Sequence, residues 1–310
     1  MTDFVAGVDG GGSKTRVILA DMEGNHVADV VGGGSAMAPG RGDHSAEVIA
    51  SLVRMAMNEA GFNEGRPRVL VAGVAGVGRL AENRALTVAL EHLEIADEVV
   101  VQGDGEIALT DAFGTGAGII LISGTGSIAY GRSPSRVLAR CGGWGPAFGD
   151  EGSGAWIGRK ALGIVSSAAD GREPETALTG AILTAAQVNE TQELIPFGIA
   201  ATPRELAALA PVVFNVASAG DVRANALVGL AVEELVIHIR ALALKLFGDD
   251  RAAIPVAFSG GLLHKGSFIR KKLEQRLKSA VPGAQVRAGE ILAARGAVKT
   301  ALMKVVPTPV

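Results

Sequence analysis

The 310-residue sequence lacks most of the features that mark a specialised class of protein. It has a single cysteine, Cys141. That excludes an internal disulfide framework and an all-cysteine zinc or iron–sulfur site, and it suits a reducing compartment. Charge of neither sign is in excess: 29 Lys and Arg against 32 Asp and Glu leave a net charge of −3, so nothing draws the chain to nucleic acid or to an anionic membrane. The most apolar long stretch, residues 222–247, carries Arg223, Glu233, Glu234, His238 and Arg240, too many charges for a simple membrane span. The opening MTDFVAGVDG has no basic segment and no long apolar run, so it does not read as a secretory signal, and a cytoplasmic location is expected. The histidines, at 26, 44, 92, 238 and 264, are scattered without zinc-binding spacing, and no Gly-x-Ser-x-Gly hydrolase motif occurs. What the chain has in excess is glycine, 43 residues, much of it in clusters.

With 48% apolar residues, the length is enough for two domains. Strand patterns at 4–9, 15–21 and 26–31 are separated by glycine turns. A helix follows over 45–60, with Asp43 or Ser45 as its cap and Gly61 just past its end. Then come a strand at 68–75, a helix at 81–93, a strand at 97–102 and a helix at 105–113. This order is that of a mixed α/β layer structure. The second half restarts in the same way, with strands at 117–123, 128–132 and 136–140. A helical block at about 151–247 follows, whose last helix places Leu227, Leu230, Ala231, Leu235, Ile239, Leu242 and Leu246 on one face. The chain closes with strand 254–258, helix 267–279, strand 284–287 and helix 290–304. Val8–Ser13 and Ile122–Ser127 are both apolar strands running into glycine-rich hairpins, about 114 positions apart in the sequence. The expected organisation is therefore a lobe at 1–115, onto which a C-terminal helix at 290–310 folds back, and a lobe at 116–289 that holds the helical insertion. Two such lobes facing each other would bring both hairpin tips to one cleft.

Five glycine-rich segments carry the chemistry. In the first, Asp9 ends a strand and Gly11, Gly12, Ser13, Lys14 and Thr15 follow. Bare backbone can approach phosphate oxygens, Lys14 can meet a phosphate, and Asp9 can anchor Mg²⁺ through water. The second, Gly124, Thr125, Gly126 and Ser127, has the same logic. Either alone is equally an ordinary tight hairpin; together they suit a clamp for a triphosphate. The third places Asp104 after a strand and before a helix, as a general base or equally as an N-cap. The fourth, residues 141–154, sets Gly142, Gly143, Trp144, Asp150 and Glu151 in a loop whose carboxylates suit a polyhydroxylated ligand, or which is a structural Ω-loop. The fifth, Gly260-Gly261 after a strand, suits an adenosine lying against backbone.

On these residues the chain resembles the actin/hexokinase/Hsp70 superfamily of ATPases, and within it the N-acetylglucosamine kinase and BadF/BadG-type ATPase family. The resemblance covers nearly the whole chain, and its most specific part is the Cys-Gly-Gly-Trp-Gly…Gly-Asp-Glu-Gly-Ser run at 141–153. It implies two ribonuclease-H-like lobes, a homodimer, MgATP as co-substrate, and phosphoryl transfer to the 6-hydroxyl of N-acetylglucosamine or glucosamine. It further implies Asp104 as catalytic base, Gly143 and Asp150 on the sugar, Thr125 and Gly126 on phosphate, and Gly260 and Gly261 on adenosine. After Gly34-Ser35, relatives that bind N-acetylglucosamine place a sugar-contacting asparagine. This chain has Ala36 there, so the pocket at Ser35 and Ala36 is expected to differ. Two other readings belong to the same fold. An activator ATPase needs cysteine ligands for a shared cluster, of which one per chain is too few. A sugar-sensing repressor carries a helix-turn-helix segment, and none precedes the first strand.

Overall fold

The computed structural model describes residues 3–62, 65–248 and 253–305. The described residues up to Gly116, together with those from Ile291 onward, form one compact unit, and Ala117–Glu290 form a second.

In the first unit, β1 (Phe4–Gly10), β2 (Thr15–Asp21) and β3 (His26–Gly32) form an antiparallel meander. Then α1 (Gly42–Glu59), β4 (Val69–Val74), α2 (Leu80–His92), β5 (Glu98–Gly103) and α3 (Asp104–Phe113) add two strands parallel to β1. The sheet order is β3-β2-β1-β4-β5. Strands β1 and β4 are almost continuously apolar because both faces of the sheet are covered. Ala6, Val8 and Leu70 point into one core with Ile49, Val53 and Leu86, while Val5, Ile18 and Val71 point into another with Ile107, Ala297 and Val298. The second core depends on the last helix of the chain, α11 (Ala293–Val305), which packs on α3 and β1.

The second unit opens with the meander β6 (Gly118–Ser123), β7 (Ser127–Arg132) and β8 (Leu138–Gly142). Six α-helices follow: α4 (Gly154–Ala169), α5 (Leu178–Ala186), α6 (Leu194–Ala200), α7 (Pro203–Ala208), α8 (Ala210–Ser218) and α9 (Val222–Phe247). Strand β9 (Ile254–Ser259), α10 (Phe268–Ala280) and the short β10 (Ala284–Val286) complete it. The sheet order β10-β9-β6-β7-β8 matches that of the first unit strand for strand, with β9 parallel to β6. Each unit is thus a ribonuclease-H-like mixed sheet with flanking helices. Among the described residues no helix is long and apolar enough to cross a membrane.

Several local expectations change. Neither Asp43 nor Ser45 caps α1, which begins at Gly42 with Arg41 at the cap position and no side-chain bond there. Ser45 is buried, and its backbone N–H donates to Arg41 O. Gly61 does take the left-handed conformation after α1. Strand β8 lies two residues later than expected, because the chain is still turning through Arg136, at φ 66°, and it runs through Cys141 to Gly142. The helical block starts at Gly154, since residues 151–153 are the end of the preceding loop. On α9, Leu230 faces solvent, and Val228, Val232 and Val236 are buried instead. A 26-residue helix packed on more than one neighbour buries a broader arc than a single stripe predicts.

Candidate active site

In the first unit the ends of three parallel strands line up. Gly10 of β1 pairs with Val74 of β4, and Val74 with Gly103 of β5. Ligands of open α/β sheets bind outside such carboxyl ends. Asp9 stands one residue before this row and Asp104 one residue beyond it, as the first residue of α3. The N-cap of α3 is Gly103, not Asp104. Glu106 closes the turn by accepting the Gly103 N–H at 3.3 Å, and Asp104 Oδ1 accepts the Gly105 N–H at 2.9 Å. The two acids feel each other. Burial first, and then the charge of Asp104, raise the Asp9 carboxyl from an ordinary 3.8 to about 6, against the lowering pull of Lys14 and Arg16.

The hairpin after Asp9 is closed by the Gly11 N–H donating to Lys14 O at 2.9 Å, which leaves Gly12, Ser13 and Lys14 exposed at the tip. Thr15 and Ser35 are both buried, with Thr15 Oγ1 donating to Ser35 Oγ at 2.8 Å. These two hydroxyls brace the hairpin from within. The Ser35 and Ala36 N–H groups both donate to Gly11 O, at 3.0 and 3.1 Å, so Ala36 is held against the base of the hairpin. Among the described residues no group of three or more His, Cys, Asp or Glu side chains could hold a metal ion. Asp9 and Asp104 are two acids only, one with its carboxyl raised to about 6. That set fits a cation that keeps water and takes its other ligands from a bound phosphate.

In the second unit the segments expected to hold nucleotide are stitched to one another. The Ser123–Ser127 hairpin closes with the Gly124 N–H on Gly126 O at 2.9 Å, and Thr125 is exposed at its tip. The turn carrying Gly260 and Gly261 is anchored on the same strand end, with the Leu262 N–H donating to Ser123 O at 3.1 Å. The start of α4 docks on the hairpin from the other side, as the Gly154 and Ala155 N–H groups donate to Gly124 O and Thr125 O.

The 141–154 loop joins this assembly rather than lying apart from it. Ser127 Oγ donates to Glu151 O at 2.7 Å, Ser123 Oγ to Gly152 O at 3.2 Å, and the Gly143 N–H to Ser127 O at 3.0 Å. Asp150, at φ 57°, turns its carboxylate inward against Gly126. Burial raises its pKa, partly offset by N–H donors of Gly145 and Ser127. Trp144 is 63% exposed, with the Arg140 guanidinium 4.9 Å from its ring centroid, and Arg159 of α4 donates to Pro146 O at 2.5 Å. Cys141 has its thiol pKa raised by burial and by the Glu151 charge, which makes it a poor nucleophile.

Sequence reading missed two side chains here. Phe148 is 77% exposed on the loop, and nothing in a glycine-rich segment announces an unburied aromatic. His238, on the buried side of α9, lies beneath the same loop, with Nε2 4.0 Å from Glu151 Oε2. Its spacing from buried Ala231, Leu235 and Leu242 was the available signal, and a lone histidine on an apolar face reads as core.

Residues 6–301 match the model of the BadF/BadG/BcrA/BcrD ATPase family. The chain belongs to this family. Among its relatives, the N-acetylmuramic acid/N-acetylglucosamine kinase of Clostridium acetobutylicum is 29% identical over 287 residues, 91% of this chain and 93% of the relative. The N-acetyl-D-glucosamine kinase of Dictyostelium discoideum is 27% identical over 298 residues, 92% of this chain and 93% of the relative. A crystal structure from Chromobacterium violaceum, described provisionally as an N-acetylglucosamine kinase, superposes with a TM-score of 0.79 at 31% identity, covering 97% of this chain and 99% of that one.

Proposed function

We propose that this member of the BadF/BadG/BcrA/BcrD family is an ATP-dependent amino-sugar kinase that transfers the γ-phosphoryl group of MgATP to the 6-hydroxyl of N-acetylglucosamine or glucosamine. The observation that carries the reading is the pair of acids at the strand ends of the first unit. Asp9 stands beside a phosphate-type hairpin, and Asp104 stands at a helix N-terminus close enough to raise the Asp9 pKa. Asp104 accepts the sugar hydroxyl and takes its proton as the oxygen attacks phosphorus. Asp9 is the acid that a water-coordinated Mg²⁺ would favour, since the cation would offset the cost of its buried negative charge. Mg²⁺, when bound, neutralises charge on the transferring phosphoryl group. Thr125 at the exposed hairpin tip and the adjoining Gly260-Gly261 turn serve phosphate and adenosine. Asp150, Glu151 and the Gly142-Gly143-Trp144 turn serve the sugar.

The kinase names of relatives similar over nine-tenths of this chain support the substrate class. Ala36, held on Gly11, offers a methyl group where an amide is expected, which admits glucosamine as a substrate beside its acetylated form.

The two acids are separable by experiment. Asp104→Asn is expected to lower kcat by at least about a thousandfold while leaving the sugar Kd within a few-fold, as measured by calorimetry. Asp9→Asn is expected to raise the Mg²⁺ concentration needed for half-maximal rate. Near-normal turnover in Asp104→Asn would remove the base assignment. NMR of the product would place the phosphate, and attachment anywhere but the 6-oxygen would overturn the regiochemistry.

A further inference from the structure

The buried histidine under the 141–154 loop has no part in the proposed reaction, yet its surroundings are specific. His238 is 4% exposed, on the face of α9 turned toward β7 and β8. Its Nδ1 lies 2.7 Å from Glu234 O. A carbonyl oxygen only accepts, so Nδ1 carries a proton and Nε2 is the ring atom left to face the loop. Two things meet that atom. One is Glu151 Oε2, at 4.0 Å. The other is the backbone of Gly142, at φ 75°, where a Cβ would run into Nε2 and Cδ2. The ring thus occupies the space that a side chain at 142 would fill. Other titratable groups nearby include Asp150, whose carboxyl the His238 ring acts on, and Cys141 at the end of β8, beside Glu151. Lys245, one of the basic residues of α9, acts on Cys141.

We propose that His238 is a positioning residue for the sugar loop: its imidazole seats the Gly142-Gly143 turn and, packed beside the Glu151 side chain, limits where that carboxylate can turn. The ring is fixed through Nδ1 on Glu234 O, and its Nε2 edge stands 4.0 Å from a carboxylate whose side chain is 34% exposed. Glu151 is tied to the hairpin through its backbone carbonyl, on Ser127 Oγ, and its side chain lies beside the His238 ring. The proposal rests on the reading of this loop as the sugar site.

The test compares His238→Phe, which keeps the ring shape and removes both nitrogens, with His238→Gln, which keeps a polar hydrogen-bonding end, using purified full-length protein and MgATP. His238→Phe is expected to raise the sugar KM about tenfold, with kcat at saturating sugar and the ATP KM changed less than about twofold. His238→Gln is expected to restore the sugar KM to within about threefold. In a Glu151→Gln background, adding His238→Phe should cost less than about twofold further, because the residue acts through Glu151. Additive effects in that cycle, or losses shared equally between the ATP and sugar KM, would overturn the proposal. Hydrogen exchange of residues 141–153 without any sugar supplies a second readout. His238→Phe should speed exchange there and His238→Gln should not; unchanged exchange in both variants would also overturn it. A wild-type protein that turns over no sugar, yet shows this exchange difference, would contradict the kinase reading and leave the seating of the loop standing.

Discussion

Asp9 and Asp111 are both carboxylic acids of the first unit, and their surroundings drive them in opposite directions. Asp9 is raised to about 6, by burial and then by Asp104. A group raised on folding favours the folded state below its unfolded value of 3.8, and that contribution is lost as pH rises through about 6. In metal-free protein this amounts to about 3 kcal/mol between acid and neutral pH. Asp9→Asn is therefore expected to be more stable than wild type at pH 7.5 and to lose that advantage near pH 4. Thermal melts of both proteins across this range check it, and parallel curves would contradict the assignment. Burial also pushes Asp111 upward, but hydrogen bonds from Arg295, Lys299 and the Leu292 N–H outweigh it and leave the carboxyl below its usual range. Its contribution is present above the unfolded value and is lost as pH falls. Neither behaviour was legible in the sequence. Asp9 was visible as a strand-end acid, but its coupling to Asp104 needs a sheet that brings residues 95 positions apart to one edge. Asp111 was an unremarked helix residue whose cations lie more than 180 positions away.

At the level of elements, the junction of α3 and α11 decides whether Asp104 is held where the strands end. Arg295 pairs with Asp111 through two bonds of 2.7 Å, and Lys299 reaches Asp111 Oδ1 at 2.8 Å. Between them Gly296 sits so close that a Cβ would strike Ile107 O and the Asp111 backbone nitrogen. Gly296→Ala is thus expected to cost about 2 kcal/mol by overpacking. Asp111→Asn should cost about 3 kcal/mol by leaving two cations around a buried amide. Urea denaturation measures both, and a loss under about 0.5 kcal/mol in Gly296→Ala would show that the helices can separate at no cost. The glycine-rich hairpins and most strands were readable because turns and strands are written locally. The end of β8 and the buried arc of α9 were not, since each depends on what packs against it. Leu230 looks as apolar as Leu227 until the packing of the second unit covers one and not the other. His238 escaped for the same reason.

On the scale of the whole molecule, two sheets of the same strand order are built from one chain, and the first unit is completed only when the chain returns at Ile291. Ala294, Ala297, Val298 and Ala301 supply much of the core under one face of the β1–β4 sheet. A chain stopped after Glu290 should therefore lose the cooperative melting of the first unit while the second keeps its own core. Circular dichroism with limited proteolysis reads this out, and a truncated protein with two intact units would contradict it. The repeat of glycine hairpins made the two-unit plan visible in the sequence, whereas the contribution of α11 to the first unit's core rests on contacts between distant parts of the chain. The hairpins serve phosphoryl transfer in the proposed reaction. The deciding measurement is ADP release by the purified protein, with MgATP and in parallel N-acetylglucosamine, glucosamine, N-acetylmuramate and glucose. Strong sugar-dependent turnover is expected with N-acetylglucosamine or glucosamine and little with glucose; ATP binding without ADP release in the presence of every sugar would rule out the kinase reading.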